Sequence, residues 1–208
     1  MQIRVVAISH ATGADGNTIG RIVADRLGFR CIDEEIITLA AAKEGVDAAL
    51  VADTERRTTF LQRLLSGIAE TMDPAVLGSG AVASNLGTPD GSLRTLIIQA
   101  IRETAERGEA VIVSHAASIP LTGRTDVLRA LITASFDTRV QRVAQAGRQA
   151  DAAKFIREND AARAEYFQRF YHIERELPTH YDIVINTDAL TADEAADIIV
   201  AATHRRAP

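Results

Sequence analysis

Ile3-Arg4-Val5-Val6-Ala7-Ile8-Ser9-His10-Ala11-Thr12-Gly13-Ala14-Asp15-Gly16-Asn17-Thr18-Ile19-Gly20 is the stretch on which the fold turns. Residues 3–8 form a short apolar run rich in β-branched side chains, which predicts a strand. Ile19, Val23 and Leu27 then recur at helical spacing as far as Gly28, so the order is strand, loop, helix. In that setting a glycine-permitted backbone can curl its N–H groups around an anion at the positive end of the helix. The lysine-bearing motif G-x-x-x-x-G-K-[ST] is not matched. Laid on its longer form G-x-x-G-x-G-K-S-T, Gly13 keeps the internal glycine and Thr18 keeps the hydroxyl, while Asp15 replaces the next glycine and Gly16 replaces the lysine. The chain has two lysines, Lys43 and Lys154, and neither is in this loop.

Working outward, Arg30-Cys31-Ile32 reads as a second strand and Glu34 to Lys43 as a helix. Thr54 to Thr71 carries Phe60, Leu61, Leu64, Leu65 and Ile68 on one face, which predicts an amphipathic helix. Asp73 to Gly91 has four glycines, Pro74 and Pro89 without an apolar period, and reads as a long loop. Helix returns from Leu93 to Arg107, and Ala110–Ser114 and Val127–Ala134 read as strands. Asp137 can cap a helix running through Gly147, and a charged helix covers Asp151 to about Arg175. Ile183-Val184-Ile185 is the last strand, and Thr191 with Glu194 forms a capping box for the final helix. Five short strands separated by helices predict an α/β fold, a five-stranded parallel sheet with helices on both faces. Ligands of such sheets sit at the carboxyl ends of the strands, here just after Ile8, Ile32, Val113, Ala134 and Ile185.

Composition narrows the ligand. The 208 residues, 47% hydrophobic and 25% charged, are enough for one core. No apolar run approaches the ~18 residues of a membrane span and the start lacks the layout of a signal peptide, which points to a cytoplasmic protein without a membrane partner. A net charge of −5, no tryptophan and 4% aromatics argue against a nucleic-acid partner. The one cysteine, Cys31, cannot form an internal disulfide and reads as a small core residue. Charge is uneven: residues 33–55 are strongly acidic, whereas residues 139–175 carry eight basic and five acidic side chains. An anion would find its cations in the second segment.

The motifs, taken together, resemble the cytidylate kinase-like family of P-loop nucleoside monophosphate kinases. Ile8-Ser9 with Gly13 to Gly20 follows that family's opening I-S-R-E-x-G-S-G-G-x-x-I-G, in which the loop lysine is often absent. Residues 32–37 resemble its Y-D-[RK]-E-[LI]-[IL], residues 111–117 its V-I-V-G-R-x-A, Arg139 and Arg142 its R-x-x-R, and Asp160, Arg163 and Tyr166 its D-x-x-R-x-x-Y. Residues 181–187 resemble its final strand. The departures are His10 and His115 where the family has arginines, Glu34 where it has a basic residue, and Asp15 for glycine.

The resemblance implies a P-loop NTPase fold, as one domain with a core of residues 1–44, 92–138 and 176–208, a helical substrate-side insertion at about 45–91 and a lid at about 139–175. It implies ATP-dependent phosphorylation of a nucleoside monophosphate, CMP first, with Mg2+ as cofactor. Gly13, Ala14, Asp15, Gly16, Asn17 and Thr18 would hold phosphates, Thr18 would meet the metal, and Arg139, Arg142 and Arg163 would clamp. Asp33 would contact substrate or water, and His10 and His115 would stand at substrate-binding positions. Plainer roles stand beside these: a tight turn for Gly13 to Thr18, an N-cap for Asp33, salt bridges for Arg139, Arg142 and Arg148, and helix packing for Tyr166, Phe167, Phe170 and Tyr171. An Asp15 carboxylate ~4 Å from a phosphate would oppose it by about 4 kcal/mol at an effective dielectric near 20. Alternatively it could fill the anion nest itself by accepting the loop's own N–H groups. The second functional reading is therefore a non-catalytic nucleotide-binding, regulatory or protein-interaction pseudokinase, with a homodimer through Ala75 to Leu86 as one form. A metal site lined by His10 and His115 is the third.

Overall fold

The computed structural model describes residues 2–32, 89–114, 116–148 and 151–204. The chain divides into two compact units, Met1–Asp33 with Ile101–Pro208, and Glu34–Ala100. In chain order the described elements are β1 (Val5–His10), α1 (Gly16–Leu27), β2 (Arg30–Ile32), α2 (Pro89–Arg107), β3 (Ala110–Val113), β4 (Val127–Thr133), α3 (Phe136–Val143), α4 (Ala152–Tyr171), β5 (Ile183–Asn186) and α5 (Ala192–Thr203). The helices expected at 34–43 and 54–71, the loop at 73–88, the Ala75 to Leu86 segment, Asp33 and His115 lie outside the described residues.

All five strands pair in parallel, in the order β2-β3-β1-β4-β5. Val5, Val6, Ala7 and Ile8 are all inaccessible to solvent, as a strand covered on both faces requires. On one face Val6, Ile8, Val111, Val113, Ala130, Ile132 and Ile185 pack with Ile19, Val23 and Ala24 of α1 and Ala195, Ala196 and Ile199 of α5. Alternation turns Val5, Ala7, Ala110 and Ile112 to the other face, where they are equally buried. A Cβ at Gly20 would run into the Val113 side chain, so glycine is what lets α1 lie this close to β3.

Three boundaries correct the expectations. The helix expected from Leu93 begins at Pro89, because proline suits a first helical position and residues 89–92 have no apolar period to reveal it. The cap of α3 is Ser135, whose side chain accepts from the Thr138 N–H, while Asp137 lies in the first turn. That helix ends at Val143 and passes through a π turn, Ala144–Arg148, where Gly147 takes φ 97°. The capping box of α5 is present, with Thr191 Oγ1 accepting from Glu194 N–H and Glu194 Oε2 from Thr191 N–H. Phe167 and Phe170 are buried, and Tyr166 and Tyr171 stack against them, so the aromatics of α4 are packing residues.

Candidate functional site

β1 delivers the chain to the carboxyl edge of the sheet at His10, where Ala11 N–H still bonds the Ile132 carbonyl of β4. The chain then turns tightly, with Ala14 N–H donating to Ala11 O at 3.0 Å. Gly13 takes φ 83°, and a Cβ there would come within 2.9 Å of the Arg139 carbonyl, so glycine is required twice over. Asp15 takes φ 64°, a left-handed conformation that favours glycine and suits the glycine that the resemblance leads one to expect there. α1 opens at Gly16 with no side chain capping it. The His10 side chain covers Gly16, leaving no room for a Cβ.

Four carbonyls at this turn, those of His10, Thr12, Gly13 and Ala14, are approached by side chains from other elements, while Ala11 O takes the loop's own Ala14 N–H. His10 O accepts from Arg163 Nη1 at 3.1 Å, Thr12 O from Arg139 Nη1 at 3.3 Å and Gly13 O from Arg142 Nη1 at 3.4 Å. Thr187 Oγ1 lies 3.3 Å from Ala14 O, and Asp15 O accepts the first helical bond, from Ile19 N–H. In a trans peptide the N–H points opposite to the C=O. Holding these carbonyls toward the protein therefore turns the following amides the other way. Among the described residues, the N–H groups of Gly13, Asp15, Gly16, Asn17 and Thr18 donate to no protein acceptor. Open amides at a helix N-terminus make an anion nest. The exposed Thr18 hydroxyl sits in that first turn, where it could join a phosphate-bound cation, and no cluster of three His, Cys, Asp or Glu is placed for a metal among the described residues.

The arginines are themselves braced by neighbours. Arg139, 9% exposed, forms a two-pronged bond with Asp160 of α4 at 2.8 Å on each prong, and its Nε has no partner among the described residues. Arg163 pairs by Nε and Nη2 with Glu176 and donates to the buried Ser9 hydroxyl at 2.9 Å. The Tyr181 hydroxyl donates to Glu176 through a short hydrogen bond. Burial first, and then the Glu176 charge and hydrogen bond, push the Tyr181 phenol up to about 12. Arg142 reaches across to Thr187, donating to its Oγ1 at 2.9 Å and its carbonyl at 2.6 Å.

Asp15 does not fill the nest. Its carboxylate makes no bond to the loop's N–H groups and instead lies 3.3 Å from Arg142 Nε, which corrects the expectation that it caps its own loop. The reason is local: in the left-handed conformation at the head of α1 the side chain leaves the path of the helix amides and meets the guanidinium that crosses from α3. Arg142 thus gives the misplaced acid a counter-charge.

The structure brings His10, Gly13 to Thr18, Arg139, Arg142 and Arg163 around one loop; Asp33 and His115 lie outside the described residues. Thr187, Asp160, Glu176, Tyr181 and Ser9 complete the bracing without having been assigned a role from sequence. Ser9, Asp160, Tyr181 and Thr187 stand in motifs that pointed to the site; nothing in the sequence singled out Glu176.

The cytidylate kinase-like family matches residues 5–189. A cytidylate kinase from Symbiobacterium thermophilum is 32% identical, over 94% of this chain and 94% of that protein. Among solved structures, an uncharacterized protein from Eubacterium ventriosum superposes with a TM-score of 0.64 at 20% identity, covering 99% of this chain and all of that one. The shikimate kinase of Bacteroides thetaiotaomicron gives 0.56 at 14% identity, over 97% and 98%, and shares the fold.

Proposed function

The chain belongs to the cytidylate kinase-like family, and from that premise we propose that it binds the phosphates of ATP on the Gly13 to Thr18 loop and transfers the terminal phosphoryl group to a nucleoside monophosphate, CMP first. The observation that carries the reading is the loop itself: the carbonyls of His10, Thr12, Gly13 and Ala14 are held by Arg163, Arg139, Arg142 and Thr187, and the amides of Gly13 and of Asp15 to Thr18 are left open for an anion. Such a nest fits a polyphosphate without a lysine, because the backbone dipoles and helix terminus supply the positive potential.

In this reading Gly13 to Thr18 bind and orient the phosphates, and Thr18 would hold Mg2+, which when bound would neutralise charge on the phosphates. Phosphoryl transfer needs positioning and electrostatic stabilisation more than covalent chemistry from the protein. The bracing of the loop supplies the first, and the open amides at the head of α1 supply part of the second, with Arg142 offsetting the Asp15 charge beside them. Residues of about 45–91 would form the substrate-side insertion and those of about 139–175 the lid, with Asp33, His10 and His115 facing the monophosphate. No helix among the described residues is long and apolar enough to cross a membrane, and the proposed place of action is the cytoplasm.

A second reading, a nucleotide-binding protein without turnover, is favoured by one specific feature. Arg139, Arg142 and Arg163 are all engaged by Asp160, by Thr187 with Asp15, and by Glu176. Two measurements separate the readings. A ligand at 100 times its dissociation constant stabilises the folded state by about 2.7 kcal/mol, which for a protein of this size is a melting shift of about 5–10 °C. Such a shift with Mg-ATP, together with CMP-dependent ADP release, supports the kinase. Binding of Mg-ATP with no ADP release for any monophosphate supports the second reading, and the absence of any nucleotide shift overturns both.

A further inference from the structure

A loop that takes phosphate through its amides works only while its peptide planes keep their orientation, and one side chain outside both the loop and the 139–175 segment is placed to hold them. Thr187 directly follows β5 and is 2% exposed. Its N–H donates to the Thr133 carbonyl at the end of β4 at 2.8 Å. Its hydroxyl accepts from Arg142 Nη1 at 2.9 Å and lies 3.3 Å from Ala14 O and 3.2 Å from Thr133 O, one of which takes its proton at a time. Its own carbonyl accepts from Arg142 Nη2. One residue thus ties the ends of two neighbouring strands to the loop and to α3.

The Ala14 carbonyl and the Asp15 N–H belong to one planar trans peptide, so whatever fixes the first aims the second. Arg142, oriented by Thr187, does the same for the preceding peptide through Gly13 O. Resting on the reading that this loop binds phosphate, we propose that Thr187 is a positioning residue of the phosphate loop. From the end of β5 it sets the direction of the Asp15 amide and the reach of Arg142, and so governs nucleotide affinity without touching the nucleotide.

The test compares Thr187→Val, which keeps the branched shape and removes the hydroxyl, with Thr187→Ser, which keeps the hydroxyl. Two readouts are used: hydrogen exchange in the ligand-free protein and calorimetric titration with Mg-ATP. Thr187→Val is expected to speed exchange at the Ala14 amide at least about tenfold, leave the amides of Val6 and Ile112 in the central strands unchanged, and weaken Mg-ATP about tenfold, the loss expected for one charge-assisted hydrogen bond. Thr187→Ser is expected to restore both. Unchanged affinity in Thr187→Val, or faster exchange spread equally over the core, overturns the proposal. Should the wild-type protein show no Mg-ATP binding, the phosphate reading fails and the exchange arm alone decides whether Thr187 fastens the loop. If Thr187→Val does not fold, Arg142→Lys keeps the charge but cannot bridge Gly13 O and both Thr187 oxygens, and the same local exchange and loss of affinity are expected; their absence counts against the proposal equally.

Discussion

Replacing Asp15 by glycine tests whether the loop's one acid is neutralised by its partner. Asp15 holds φ 64°, which costs a non-glycine residue about 1 kcal/mol or more. Its pair with Arg142 spans 3.3 Å with side chains 46% and 25% exposed, worth about 0–1 kcal/mol at the surface. These terms oppose each other, so Asp15→Gly is expected to change folding stability by less than about 1 kcal/mol. Binding responds more. A unit charge roughly 5 Å from a bound phosphate, in a half-exposed setting with an effective dielectric of about 40, contributes about 1.7 kcal/mol, or nearly twentyfold in affinity. In the wild type the Asp15 and Arg142 contributions nearly cancel. Asp15→Gly leaves Arg142 uncompensated and is expected to tighten Mg-ATP by about ten- to twentyfold. Arg142→Gln leaves Asp15 uncompensated and is expected to weaken it by at least as much, and the double variant should return toward the wild type. Isothermal titration calorimetry at low and high salt measures all four proteins, with the differences shrinking as salt rises. An Asp15→Gly protein that folds normally and binds no tighter at low salt would refute the reasoning, as would an Arg142→Gln protein that binds like the wild type.

Gly16→Ala places a Cβ against the His10 ring, and the displacement should destabilise the fold by roughly 1–3 kcal/mol and abolish any nucleotide-induced melting shift, measured by thermal denaturation with and without Mg-ATP. Arg163→Ala leaves Glu176 partly buried beside Tyr181 without its cation; chemical denaturation should show a loss of about 3 kcal/mol or more, with Arg163→Lys recovering only part of it. Tyr181, raised to about 12, favours the protonated phenol in the folded state, so its contribution to stability is full below the ordinary tyrosine value near 10 and is lost as pH rises through 12. Ultraviolet titration should show one tyrosine ionising about two pH units late, a late step absent from Tyr181→Phe; a Tyr181→Phe titration identical to the wild type rules this out.

The five strands and the position of the loop at the end of β1 were legible in the chain because each rests on a local apolar run, and their parallel pairing because helical segments alternate with the strands. Residues 30–32, 110–113, 127–133 and 183–186 fall within a residue of where the apolar runs place them, while β1 at 5–10 lies two residues beyond the run at 3–8, since its pairing with β4 carries on through Ser9 and His10. The start of α2 was not legible, since Pro89-Asp90-Gly91-Ser92 has no apolar member to mark a helical face.

For the site, the sequence determined which residue types meet: glycines for a tight turn, a hydroxyl in the first helical turn, and arginines in the segment beyond β4. What those arginines hold was decided by tertiary structure alone. Arg139 and Asp160 are 21 positions apart, Arg142 and Gly13 are 129 apart, and Thr187 and Ala14 are 173 apart. No periodicity spans such distances; only the order of the sheet, which sets the ends of β1, β4 and β5 side by side, brings the partners within reach. The same placement decided the fate of Asp15. As a letter in the chain it is an acid where an anion should bind, and in the fold it is one half of an ion pair, because α3 carries Arg142 to its side.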